Sequence, residues 1–254
     1  VRKVEPAPSP LRDAILAQLL GSLFAAALIY LAWPRLWDTP LAAAAVQGAC
    51  SALAAYKLES PSWWIGIHLV FVPLVVAAST LGIAPGWYLA AFVVSLLIFW
   101  RTDKSRVPLY LTNATAAAAV AALLPPRPCH VIDLGCGDGG LLRELARARP
   151  DCEFVGIEHA PLPWLLARLR TMGLPNAYVR YGDLWAQHLG LFDVVYAFLS
   201  PAPMPRLWQK VLGEMNSGGL LISNSFAVPD VEPERTESVS DRRQTRLYIY
   251  RPGK

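Results

Sequence analysis

The sequence predicts an all-α, membrane-spanning region followed by an α/β domain with a mainly parallel sheet and helices on both faces. Three observations carry that reading. Between residues 14 and 100 only Arg35, Asp38, Lys57 and Glu59 are charged. Residues 129–254 then alternate short apolar runs with helical patterns. A glycine-rich turn, Asp133-Leu-Gly-Cys-Gly-Asp-Gly-Gly140, closes the first of those runs.

The composition agrees with a chain of two solvent preferences. Over 254 residues, 54% are hydrophobic and 17% charged, against about 25% charged in an ordinary soluble domain. The mean hydropathy is +0.36. The net charge of +4 is spread without a basic stripe, which argues against a nucleic-acid partner. Cys50, Cys129, Cys136 and Cys152 form no CxxC pair, and the four histidines do not cluster. No metal site is expected, and the cysteines read as small buried residues in a reducing compartment.

A bilayer-crossing helix needs roughly 20 mostly apolar residues. About four spans are expected, at 14–33, 41–56, 63–82 and 86–100, after an N-terminal tail at 1–13. Pro73 is placed to kink the third. Turns fit the stretches between them, at 34–40, 57–62 and 83–85. Trp33, Trp37, Trp63, Trp64, Trp87, Tyr88 and Trp100 fall near the expected helix ends, where an interfacial aromatic belt sits. Four such segments in a row argue against a cleaved signal peptide. Four spans put both termini on one side with Arg2, Lys3, Arg12, Lys57, Arg101, Lys104 and Arg106, leaving Arg35 opposite. That bias places the tail and the C-terminal domain on the cytoplasmic side; a multi-pass protein, of a bacterial inner membrane, is the expected localisation. The basic residues at 101, 104 and 106 are placed to touch anionic lipid.

Residues 101–128 read as a linker and a helix that encloses a ligand. Thr112 or Asn113 caps that Ala-rich helix, and Pro125, Pro126 and Pro128 end it. Strands are expected at 130–134, 153–158, 177–181, 192–199, 219–224 and 245–250. Helices fall between them at 139–149, 161–172 and 203–215. Residues 229–243, polar and with two prolines, read as a solvated loop. Repeated βα units imply a parallel sheet, with ligands at the strands' carboxyl ends.

Gly135, Gly137 and Gly140 alone also fit a dinucleotide fingerprint. Two acids redirect the reading. Asp133 and Asp138 beside the turn oppose a pyrophosphate and favour a cationic amino group, as S-adenosylmethionine carries. Glu158 ends the second strand, where an acid accepts hydrogen bonds from ribose hydroxyls. Asp183 follows the third strand, placed either to accept from an adenine amino group or to cap a turn. Tyr196, Phe198 and Ser200, at the end of the fourth strand, are the candidates for lining an acceptor pocket.

The strings DLGCGDGG, VGIEHAP and GDLW, then DVVYAFLSPAPMP and SGGLLISNSFAVP, resemble class I methyltransferases with a Rossmann-like domain. The resemblance covers roughly residues 106–250. It is to the membrane-associated protein-lysine methyltransferases of adenine nucleotide translocase and the ATP synthase c subunit, and to their bacterial relatives. It implies S-adenosylmethionine as cofactor, held by Asp133, Gly135, Gly137, Asp138, Glu158 and Asp183. A VP…T segment, here Val107 to Thr112 with Leu111 in place of a second proline, implies a contact from Thr112. The implied substrate is a protein with a lysine near the membrane. A lipid or quinone methyltransferase and a non-catalytic cofactor-binding membrane protein are the competing readings.

Overall fold

The computed structural model describes residues 10–100 and 107–253. The expected tail at 1–13 and the basic residues at 2, 3, 101, 104 and 106 lie wholly or largely outside the described residues. The chain divides into two compact units, Val1–Tyr88 and Leu89–Lys254.

The first unit is built from α1 (Pro10–Ala32), α2 (Pro40–Lys57) and α3 (Ser62–Ser79). α4 (Pro85–Ile98) begins at its end. Small residues set the helix spacing: an added Cβ on Gly21 would lie 2.3 Å from Ser51 Cα, and one on Gly48 2.3 Å from Leu69 O. Such close approach is a common basis of helix packing in lipid. Polar groups meet inside. Gln47 Nε2 donates to Ser22 Oγ and Ser51 Oγ, each at 2.9 Å, and His68 Nδ1 lies 2.9 Å from Gln18 Oε1. Large apolar side chains point out instead, with Leu31 80%, Leu23 71% and Leu74 62% exposed.

Two of the four expected spans, Arg12–Ala32 and Ser62–Ser79, are helices long and apolar enough to cross a membrane. The other two are helices but fall short of that standard. α4 has 14 residues, about 21 Å at 1.5 Å per residue, against a core of about 30 Å. α2 is Ala-rich and carries Gln47 and Lys57. Trp33, Trp37, Trp63, Trp64, Trp87 and Tyr88 do sit at or next to helix ends.

In the second unit, α5 (Ala114–Leu123) precedes a mixed sheet of seven strands in the order β3-β2-β1-β4-β5-β7-β6. The strands are β1 (His130–Leu134), β2 (Glu153–Glu158), β3 (Ala177–Tyr181), β4 (Val194–Ala197), β5 (Leu220–Asn224), β6 (Arg235–Ser238) and β7 (Arg246–Tyr250). The first five run parallel, and β7 is antiparallel to both β5 and β6. The crossover helices are α6 (Gly140–Ala148), α7 (Pro161–Thr171) and α8 (Met204–Glu214).

Strand alternation sorts the core onto two faces. Val131, Phe154, Val194, Tyr196 and Ile222 pack under α5 and α6, while Ile132, Val155, Ile157, Val195 and Leu221 pack with Leu207 and Val211 of α8. Asn113, not Thr112, caps α5: its Oδ1 accepts from Ala116 N at 2.8 Å, and its Nδ2 donates to Asp241 Oδ2 at 2.5 Å.

Residues 229–243 are not a plain solvated loop. They contain β6, paired with β7 through Thr236↔Tyr248 and Glu237↔Leu247. β6 sits at the sheet edge, where polar and charged residues are favoured, so Arg-Thr-Glu-Ser shows no apolar alternation. Cys129, Cys136 and Cys152 are buried free thiols as expected, whereas Cys50 is only partly buried. Burial, and then the bond to Cys152, push the Cys129 thiol up to about 12.

Candidate active site

The strand order reverses between β1 and β4, and an open α/β sheet binds its ligands at such a point. Asp133 lies there, flanked in register by Gly156 on β2 and Tyr196 on β4. It is 3% exposed, and its Oδ1 has no hydrogen-bond partner. Burial, reinforced by the nearby Glu158 charge, holds its carboxyl well above the usual carboxylate range. A buried acceptor left open calls for a donor, and a cationic donor would offset the charge as well.

The chain leaves β1 through a turn that needs glycine. Gly135, Gly137 and Gly139 have φ of +106°, +54° and +74°, a region other residues seldom adopt. A Cβ on Gly139 would also lie 2.8 Å from Ala167 Cα on α7. Glu158 ties this turn to the end of β2. Its Oε2 accepts from Gly137 N at 2.9 Å, and its Oε1 accepts from His159 N and Ala160 N, each at 2.8 Å.

Asp138 is already engaged within the chain. Its Oδ1 accepts from Gly140 N at 3.0 Å, and its other oxygen is ion-paired with Arg170 of α7. Its negative charge is therefore offset within the chain. Asp183 caps a short 3₁₀ turn, accepting from Trp185 N at 3.0 Å.

Segment 107–112 runs across the glycine turn. Leu111 and Leu109 side-chain carbons lie 3.2 and 3.4 Å from where a Gly137 Cβ would stand. Thr112 Oγ1 is 2.8 Å from Tyr196 Oη, and Asn224 Nδ2 donates to the same phenol at 2.7 Å. The phenol accepts from the Asn224 amide, and either hydroxyl can donate in its bond with Thr112. Burial raises the Tyr196 pKa further above its ordinary value, which keeps the phenol proton in place. Tyr110 stacks on Phe198 with centroids 4.8 Å apart and lies 5.6 Å from Phe226.

Two adjoining clefts result. One is lined by Asp133, Gly135, Asp138, Thr112, Tyr196 and Phe198. The other is lined by Glu158, His159, Leu184, Leu199, Trp100 and again Phe198. Tyr110 and Gly135 border both. Ser200 is buried but lines neither cleft. Asp183 lines neither as well, and its neighbour Leu184 takes that place. Tyr110, Asn224 and Phe226 were not singled out from sequence. Tyr110 lies inside the VP…T segment, and Asn224 and Phe226 inside SGGLLISNSFAVP, so the segments were visible although the contacts were not.

Replacing Tyr196 with Phe leaves the buried Asn224 amide without its acceptor. We expect a loss of about 1–3 kcal/mol of stability in chemical denaturation. We also expect roughly ten-fold weaker S-adenosylmethionine binding as Thr112 loses its tether, a change equivalent to about 1.4 kcal/mol.

The sequence model of the ANTKMT methyltransferase domain matches residues 133–235. The mouse adenine nucleotide translocase lysine N-methyltransferase is 31% identical over 163 residues, covering 59% of this chain and 69% of that enzyme. Trans-aconitate 2-methyltransferase of Deinococcus radiodurans is 36% identical over 129 residues, 48% of this chain and 47% of that enzyme. The release factor glutamine methyltransferase of Escherichia coli is 29% identical over 111 residues and matched over 37% of its length. The chain thus spans less than half of these last two relatives. Among solved structures, an RNA methyltransferase of Salinibacter ruber in complex with S-adenosyl-L-homocysteine superposes with a TM-score of 0.51 at 24% identity. That match covers 57% of this chain and 95% of that one, and it shows the shared fold. The chain belongs to the ANTKMT methyltransferase family, a branch of the class I S-adenosylmethionine-dependent methyltransferases.

Proposed function

We propose that this chain is a membrane-anchored protein-lysine N-methyltransferase that modifies a membrane protein at a lysine close to the cytoplasmic face. One observation carries the reading. An acid-floored, aromatic-walled cleft stands in the same chain as a helical unit that turns polar groups inward and leucines outward. The similarity to the mouse translocase methyltransferase supports a lysine acceptor. The two long apolar helices support the anchor.

The residues present fit S-adenosylmethionine. Asp133 Oδ1, buried and without a hydrogen-bond partner, would accept from the cationic amino group. The turn at Gly135 and Gly137 lets the backbone approach closely. Glu158, which lines the second cleft, would accept from the ribose hydroxyls, and Leu184 beside Asp183 would border the adenine there. Asp138 shapes the turn through Gly140 and Arg170, and Thr112 lines the cleft. The cofactor, when bound, supplies an electrophilic methyl group on a sulfonium.

Everything else falls to the protein, whose work is orientation and exclusion of water. A lysine has a pKa near 10.4 and attacks only as the neutral amine. A low-polarity pocket lowers that value. Tyr110, Phe198 and Phe226 supply such a wall, and their ring faces also hold the methylated cation. Tyr196 positions Thr112 and keeps its own proton.

The test is transfer of labelled methyl from S-adenosylmethionine to membranes that lack the enzyme, with protein and lipid extracts resolved. Label in one small protein band supports the proposal. Label in the lipid extract assigns the same cleft to a lipid or quinone acceptor, and binding without label assigns it to a cofactor-binding role without turnover.

A further inference from the structure

Between Glu158 and Asp183 the chain has 24 residues, no acid and three arginines, Arg168, Arg170 and Arg180. This stretch forms α7 and the edge strand β3. α7 buries only one side. Ala167 and Thr171 face the core, while Leu165, Leu166 and Leu169 are 46%, 40% and 54% exposed and Met172 just beyond is 77% exposed. Tyr178 and Tyr181 of β3 are also exposed, at 48% and 54%. A groove between the two elements is lined by Trp164, Leu165, Leu169, Tyr178, Arg168 and Arg180. Arg170 is held by Asp138. Arg168 lies over the Trp164 ring at 5.4 Å, and neither it nor Arg180 has a carboxylate partner among the described residues.

We infer that the outer face of α7 and β3 is a membrane-surface contact that seats the catalytic domain on anionic lipid. Leucines, a methionine and aromatic rings interleaved with arginines, on a helix with a buried opposite side, have the chemistry of an interfacial helix. Tyrosine and tryptophan suit the headgroup level, and unpaired arginines complement anionic headgroups. A second copy fits less well, because two-fold pairing of this face sets the Arg168 and Arg180 charges of both chains against each other. The start of α7 also lies where the chain leaves the apolar α4: His159 Nε2 is 2.9 Å from the carbonyl oxygen of Trp100. The face would therefore hold the mouth of the cleft at the depth where a membrane protein presents a lysine. This inference rests on the membrane anchoring proposed above.

The test is amide hydrogen exchange of residues 161–181 in the full chain, in detergent, in phosphatidylcholine nanodiscs and in nanodiscs that also hold phosphatidylglycerol. Slower exchange with phosphatidylglycerol, lost in the Arg168→Gln/Arg180→Gln variant, supports the inference. The slowing reaches about thirty-fold if each arginine contributes roughly 1 kcal/mol. Cofactor binding by the variant should stay unchanged. Equal exchange in all three settings overturns the inference, as does protection in detergent that grows with protein concentration, which assigns the face to self-association. Anchoring is read separately, by whether the chain resists alkaline extraction from vesicles. A chain that is extracted loses the anchoring proposal, and salt-reversible flotation with phosphatidylglycerol vesicles then decides the face by itself.

Discussion

Asp133→Asn is expected to stabilise the ligand-free chain and to weaken S-adenosylmethionine binding about 100-fold. The two effects share one cause. Asp133 is buried, has an open oxygen and feels the Glu158 charge, so the empty fold carries an unfavourable carboxylate. The amide removes that burden. It also removes the charge that meets the cationic amino group, an interaction of roughly 1.5–3 kcal/mol for a charged hydrogen bond. The sign with pH follows. The folded-state pKa of Asp133 lies above its unfolded value of 3.8, so the folded chain binds more protons and the group subtracts stability as pH rises from 3.8 through the folded value. Asp241 runs the other way: bonds from Thr245 and Asn113 lower it to about 2, and its contribution is present above 3.8 and lost as pH falls through about 2. Because Asp241 is common to both chains, the difference between variant and wild type isolates Asp133. That difference should widen from pH 4 to pH 8 in denaturant titrations, and a constant gap would contradict the assignment.

Glu158→Ala is expected to cost about 3 kcal/mol or more of stability and to lower cofactor affinity about as much as the Asp133 change. Its carboxylate accepts three backbone N–H groups, from Gly137, His159 and Ala160. Hydrogen bonds to a charged group contribute roughly 1.5–3 kcal/mol each, and buried donors left bare add a penalty. Glu158→Gln separates the two roles. The amide oxygen can serve either Gly137 N or the His159–Ala160 pair, and the amide NH₂ then opposes a donor with a donor. An intermediate melting temperature with a large loss of binding in calorimetry is the expected outcome. A glutamine variant that binds the cofactor like wild type would show that Glu158 only staples the turn.

The parts of this site carried by consecutive residues were legible in sequence. The glycine turn, Asp133 before it and Glu158 at the next strand end lie close in sequence because a βα unit brings successive strand ends together. The fold class followed from the same alternation. What stayed hidden depends on distant partners. Asp138 reads as a second free acid until Arg170, 32 residues away, is seen to hold it. Tyr196 reads as a pocket wall, and its place between Thr112 and Asn224 needs the β4–β5 pairing. Ser200 follows the same strand but lines neither cleft. β6 was missed because an edge strand needs no apolar alternation. In the first unit, hydropathy located the helices. It did not separate the two that are long and apolar enough to cross a bilayer from the Ala-rich α2 and the short α4.

The central claim is that the Asp133 cleft delivers a methyl group to a lysine of a membrane protein. The most direct measurement is acid hydrolysis and amino-acid analysis of membrane protein labelled with methyl-³H S-adenosylmethionine, with the wild-type chain and with Asp133→Asn. Radioactive N-methyl-lysine from the wild-type reaction, absent with the variant, is the expected result. Protein label that elutes away from every methylated lysine, or label that the variant transfers equally well, would contradict the account.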